Sequence, residues 1–131
     1  MELTIKQALQ QGVTAHQEGK LHQAERLYRA ILQSQPFHPD ANHNLGILLV
    51  SMNRAGEAIP LFKIALEGDP KVDQFWLSYA DALVKEQQFD TAKKIIKRAK
   101  KRGVSPKNLK ALKSQFSTPY KKASTVASSP P

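Results

Sequence analysis

The stretch PDANHNLGILLVSMNRAGEAIPLFKIALEGDPKV, residues 39–72, decides how the chain folds. In it, two apolar-periodic segments flank a polar turn. Leu45, Leu48 and Leu49, with Gly46 beside them, share one face of a first helix at three- and four-residue spacing. Ala58, Ile59, Phe62, Ala65 and Leu66 do the same in a second. Pro39 fits the first turn of the first helix, where its missing N–H does no harm, and Asp40 favours the same terminus. Pro60 lies inside the second helix and removes one backbone hydrogen bond, which predicts a slight bend at most. A lone pair of amphipathic helices cannot cover its own apolar stripe, so the flanking sequence must supply the cover.

The flanks repeat the central stretch. Ala24, Ala58 and Ala92 are spaced by 34, each four residues before a large apolar residue: Tyr28, Phe62 and Ile96. The same offset links Ile31, Ala65 and Ala99; it links Gly12, Gly46 and Ala80, and it brings Pro36 onto Pro70, with Val104 in the third place. Between the two helices of each unit stand Gly19 and Asn53, which tolerate positive φ, and Gln87, which does so less well. Small residues at 12, 46 and 80 and at 24, 58 and 92 let paired helices approach closely, and connections of a few residues force neighbours to run antiparallel. Helices are predicted at about 4–17, 21–34, 39–52, 55–68, 73–86 and 89–101.

Beyond Gly103, Ser105-Pro106 reads as an N-cap and a first-turn proline, followed by Leu109, Leu112 and Phe116 at helical spacing. A short helix over 106–116 is expected to cap the open end of the stack. Residues 118–131 carry Ser, Thr, Pro and Lys without periodicity, the composition of a disordered tail or linker.

The pattern resembles the tetratricopeptide repeat. Its alternation of large and small residues is matched by Asn42/Leu45/Gly46/Leu49/Ala58/Phe62/Ala65/Pro70 and by Trp76/Tyr79/Ala80/Leu83/Ala92/Ile96/Ala99. A first repeat is looser, with Ala8, Gln11 and Ala15 in place of large residues, although Gly12, Ala24, Tyr28 and Pro36 hold. The resemblance implies an all-α fold: a right-handed superhelical stack of three hairpins, over 5–38, 39–72 and 73–106, plus a C-terminal capping helix, together making a domain over 1–117. It implies a non-enzymatic module that holds a partner polypeptide or extended peptide in a concave groove. The repeats are also similar to those that precede catalytic domains in bacterial transferases, among them glycosyltransferases of the O-linked N-acetylglucosamine type. On that alternative the chain is a recognition module of a larger enzyme.

By the same resemblance, the groove is lined by the first helix of each hairpin. The candidates are Leu9, Gln10, Val13 and His16; then His43, Asn44, Ile47 and Val50; then Leu77, Ser78, Asp81 and Val84. Lys6, Asp40 and Gln74 stand at the head of each row. Gln10, Asn44 and Ser78 form a polar row suited to a peptide backbone, and the aliphatic residues beside them offer apolar contact. Alternatively, these are ordinary solvent-facing side chains of a short superhelix. Members of the family that grip a C-terminal carboxylate use Lys, Asn and Arg at set positions, where this chain has Leu9, Val13, Asn44, Gln74 and Ser78; Asn44 alone matches, so no such clamp is expected.

The bulk properties bound the remaining functions. At 131 residues and 40% apolar content there is room for one domain with a core. No apolar run approaches the length of a bilayer helix, and MELTIKQALQQG is too polar for a signal peptide, so a soluble, cytoplasmic protein is expected. The absence of cysteine rules out disulfides and thiolate metal sites. No phosphate-binding glycine loop, His-Glu-x-x-His motif or nucleophile elbow is present, which predicts no cofactor and no catalysis. His16, His22, His38 and His43 do not pair at i, i+4 with another histidine or a carboxylate on one helical face, so no metal site is expected.

Charge is divided unevenly: residues 1–90 hold eight Lys/Arg and all eleven acids, whereas 91–131 hold twelve Lys/Arg and no acid. Lys93, Lys94, Lys97, Arg98, Lys100, Lys101 and Arg102 form a basic patch that Lys107, Lys110 and Lys113 extend. Such a patch attracts nucleic acid or an acidic surface, although it lacks interleaved aromatics for base stacking and also fits a solvated outer face.

Overall fold

The computed structural model describes residues 3–117; the tail predicted over 118–131 lies outside the described residues. Among the described residues seven helices follow one another: α1 Ile5–Gln17, α2 Leu21–Ser34, α3 Pro39–Ser51, α4 Ala55–Gly68, α5 Asp73–Lys85, α6 Phe89–Lys101 and α7 Pro106–Ser117. Hairpins α1/α2, α3/α4 and α5/α6 stack through α2 on α3 and α4 on α5, and α7 packs against α5 and α6. The helices α1, α3, α5 and α7 form an inner row in which each touches the next. The outer helices α2, α4 and α6 do not meet one another among the described residues. A stack that touches along one row and splays along the other curves, which makes the inner face concave. The fold is thus all-α and superhelical, as the repeat pattern implied.

Local chemistry sets the helix ends. Thr4 and Gln7 form a reciprocal capping box at α1, with Thr4 Oγ1 accepting from Gln7 N at 3.0 Å and Gln7 Oε1 from Thr4 N at 2.9 Å. At α3 the cap is His38, whose Nδ1 accepts from Ala41 N, with Pro39 in the first turn. The hairpin turns repeat one motif: Lys20 N, Arg54 N and Gln88 N donate to Ala15 O, Leu49 O and Leu83 O, each five residues back. The residue before each donor takes the left-handed conformation, with φ of 78° at Gly19, 61° at Asn53 and 60° at Gln87. The helix α4 runs unbroken through the exposed Pro60.

The core is continuous from Ala8 in α1 to Leu112 in α7. Burying each leucine of the trio Leu45, Leu48 and Leu49 contributes about 1.5–3 kcal/mol. The paired helices of the first two hairpins cross closely. A Cβ added at Gly46 would fall against the Phe62 ring, with Cδ1 and Cζ at 2.8 Å, and one added at Gly12 would meet Tyr28 in the same way. In the third hairpin the pair is Ala80 and Ile96, both buried, so a methyl is accommodated where the facing residue is not aromatic. Buried polar groups follow the repeat too. Asn42 Nδ2 donates to Pro36 O at 3.0 Å and His38 O at 2.9 Å, and 34 residues on Trp76 Nε1 donates to Pro70 O at 2.8 Å. Each holds the chain that enters its hairpin. On the outer face Arg54 joins hairpins one and two, reaching Glu25 at 3.1 Å and Glu57 at 2.8 Å. Burial pushes the Glu25 carboxyl up, but hydrogen bonds from Arg54 and Arg29 outweigh it and hold the group below its ordinary value.

Candidate functional site

The inner helices bring part of the predicted row to one place. Ile47 and Val50 on α3 face Leu77, Ser78 and Asp81 on α5 across a cleft of about 300 Å³, with the Phe62 ring also lining it. Gln74 joins them, and the far wall is α7, through Asn108, Ala111 and Leu112. Ile47 is 36% exposed, unusual for a large aliphatic residue in this chain, while Val50 and Leu77 are half-buried and rest on the core. Asp81 accepts from Lys85 Nζ at 2.9 and 3.0 Å, one turn along the same helix. The lining is therefore mainly apolar, with two amides, a hydroxyl and one ion-paired carboxylate among it.

Other predicted residues lie elsewhere. Leu9, Gln10, Val13 and His16 are on α1, away from the cleft; Gln10 is exposed and the other three are half-buried. His16 Nε2 lies 3.4 Å from Ser51 Oγ, linking α1 to α3. Asn44 is half-buried and does not line the cleft. Two expectations need correction. Val84 is 5% exposed and belongs to the core rather than to the inner surface. Ser78 touches the cleft but is also only 5% exposed, and its hydroxyl already accepts from Gln74 Nε2 at 3.1 Å and shares a 2.8 Å hydrogen bond with His43 Nε2. The polar row of Gln10, Asn44 and Ser78 is thus interrupted at its third member.

His43 is a joint between hairpins. Its ring lies 4.8 Å from that of Phe75 and 5.5 Å from that of Phe62, so α3, α4 and α5 meet on it. Burial depresses its pKa below the ordinary imidazole value, against the opposing influence of Asn44 and Asp40. At neutral pH the ring is uncharged and bridges two helices beside the cleft.

Asn108, Ala111 and Leu112 were not singled out as groove residues from the sequence. The signal was present: they stand 34 residues after Gln74, Leu77 and Ser78. The helix α7 therefore occupies the inner place of a fourth hairpin, and it supplies a wall as well as a cover. Phe116 lies in α7, but its side chain is outside the described residues, as is that of Lys113.

All seven predicted basic residues of α6 and its C-cap, Lys93, Lys94, Lys97, Arg98, Lys100, Lys101 and Arg102, are exposed. Those in the last turn complement the negative end of the helix dipole. The guanidinium of Arg98 lies 5.5 Å from the centroid of the Trp76 ring. Lys107 and Lys110 are exposed on α7. Among the described residues no group of three or more His, Asp or Glu could hold a metal ion, and no helix is long and apolar enough to cross a membrane.

Stacked hairpins with a concave inner row define a helical repeat protein. The chain belongs to the tetratricopeptide repeat family, whose models match residues 9–72 and 49–116. No curated protein sequence matches it. Among solved structures it is similar to the tetratricopeptide domain of Sgt2 from Aspergillus fumigatus, with TM-score 0.73 and 19% identity over 97% of this chain and 85% of that one. The TPR2B domain of yeast Sti1, solved in complex with pHsp70, gives TM-score 0.78 and 18% identity over 86% and 95%. The Yersinia enterocolitica secretion chaperone SycD, solved with a peptide of the translocator YopD, gives 0.72 and 19% over 90% of each chain. At these identities the likeness is one of fold.

Proposed function

We propose that this chain is a protein-interaction module that takes an extended segment of a partner polypeptide along its concave face, with an apolar side chain of that segment seated between α3, α5 and α7. The observation that carries this reading is the cleft itself: Ile47 and Ala111 are exposed, Val50 and Leu77 half-buried, and together they leave aliphatic surface open above the buried Leu112 in one hollow of the inner face. A space of about 300 Å³ has room for one or two side chains. Gln74 and Asn108, at its edge, can each both donate to and accept from a peptide backbone. Among the described residues no lysine or arginine lines this cleft, which favours an apolar anchor over a terminal carboxylate. The complexes of Sti1 with pHsp70 and of SycD with a peptide of YopD support the reading by analogy of fold.

The test is a displayed library of extended peptides selected on the purified chain and measured against Ile47→Arg. Because Ile47 is already part-exposed, its replacement should leave the melting temperature nearly unchanged. Affinity should fall by about tenfold or more, the value of one buried aliphatic contact. Selected peptides without an apolar consensus, or equal binding to the variant, would remove the proposal.

A further inference from the structure

A second cleft, of about 190 Å³, opens between α4, α5 and α6, away from the inner face. Its walls are Leu66, Pro70, Trp76 and Tyr79, and its charged groups are Lys63 from α4, Arg98 and Arg102 from α6 and its C-cap, and one carboxylate, Glu67. Three cations facing one anion leave the hollow with a net charge of two. The Arg98 guanidinium lies over the Trp76 ring, which favours this position for it, and that ring is itself fixed by the bond from Nε1 to Pro70 O. Tyr79 has its pKa raised by burial and Glu67, with Arg98 opposing, so its phenol stays protonated and able to donate.

The repeat provides an internal comparison. One unit earlier, the outer face carries a hollow lined by Arg29, Leu32 and Gln33. Arg29 corresponds to Lys63 at the 34-residue offset, but Arg98 and Arg102 correspond to Ile64 and Gly68. The cationic wall is therefore peculiar to the second junction and is not a by-product of stacking hairpins.

We propose that the outer cleft between hairpins two and three binds a phosphoryl group, with Arg98, Arg102 and Lys63 contacting its oxygens. A phosphoryl dianion matches the excess charge, and guanidinium groups match its geometry. The aromatic and aliphatic walls leave room for a small organic substituent, so the same chemistry could reach the site as free phosphate or as a phosphorylated side chain.

Trp76 is the only tryptophan in the chain and lies in the wall, so it reports on the site directly. Titrating the full chain at constant ionic strength with inorganic phosphate, and separately with phenyl phosphate, should give saturable changes in its fluorescence. Acetate should give none. Tighter binding of phenyl phosphate would point to a phosphorylated side chain, and equal or weaker binding to free phosphate; either outcome supports the site. Arg102→Gln, at an exposed helix end, should fold normally and weaken binding about tenfold. Lys94→Gln, on the same helix but outside the cleft, should not weaken it. Equal weakening by both variants would mean general attraction to a basic helix, and a change that does not saturate would mean no site; either overturns the proposal.

Discussion

Gly46 can be tested against two opposing forces. Replacing a mid-helix glycine by alanine favours the helix by about 1 kcal/mol through propensity alone. Here the new methyl would be driven into the Phe62 ring, whose Cδ1 and Cζ stand 2.8 Å from its ideal position. Phe62 is 1% exposed and lies in a continuous core, so the ring has little room to retreat, and overpacking costs about 1–3 kcal/mol. The clash should win: Gly46→Ala is expected to lose about 1 kcal/mol net, a drop of about 3–6 °C for a domain of this size. Phe62→Ile alone removes ring volume and should cost about 1–2 kcal/mol as a cavity. Together the two changes recreate the Ala80/Ile96 pairing of the third hairpin, in which a methyl is tolerated. The double variant should therefore be more stable than the sum of the singles by at least about 1 kcal/mol, measured by urea denaturation of all four proteins. Should Gly46→Ala raise the midpoint, or the two changes add, close packing at this crossing is not what selects the glycine.

Three further outcomes follow from single residues. Asn42→Leu should destabilise by about 1–3 kcal/mol in chemical denaturation, because two loop carbonyls lose their buried donor. Gln87→Gly should stabilise by about 1 kcal/mol in the same assay, since Gln87 has a φ of 60° that glycine adopts without strain. His43 has a folded pKa below its unfolded value of about 6.5, so the unfolded chain takes up the proton first; its contribution is complete above that pH and is lost as pH falls toward the folded value. Melting temperatures between pH 7.5 and 5.5 should accordingly fall less in His43→Gln than in the parent, and parallel profiles would contradict the assigned burial.

The fold was readable because each repeat states the same constraints at the same offset. Paired small and large residues at 46 and 62 set the crossing, and residues 19, 53 and 87 set the turns; all three adopt the positive φ that the sequence suggested, even at Gln87. The inner face was less readable, since a position within a repeat says which way a side chain points but not what its neighbours do to it. Ser78 points inward and is consumed by His43 and Gln74, partners 35 and 4 residues away. Val84 is at a nominally inner position and is packed into the core. Conversely, the wall formed by Asn108, Ala111 and Leu112 required carrying the 34-residue register one step past the third hairpin, into a helix that reads on its own as a cover. The outer cleft could not be read from periodicity at all, because Lys63, Trp76 and Arg98 come from three helices and only packing unites them.

The central functional claim is that the inner cleft receives the partner. The most direct measurement is a backbone amide chemical-shift map of the full chain, titrated with a peptide selected on it. The account predicts that the largest changes cluster on Ile47, Val50, Gln74, Leu77, Asp81 and Asn108, with α2 and the exposed face of α4 unaffected. Changes confined to the outer helices, with the inner row silent, would contradict it.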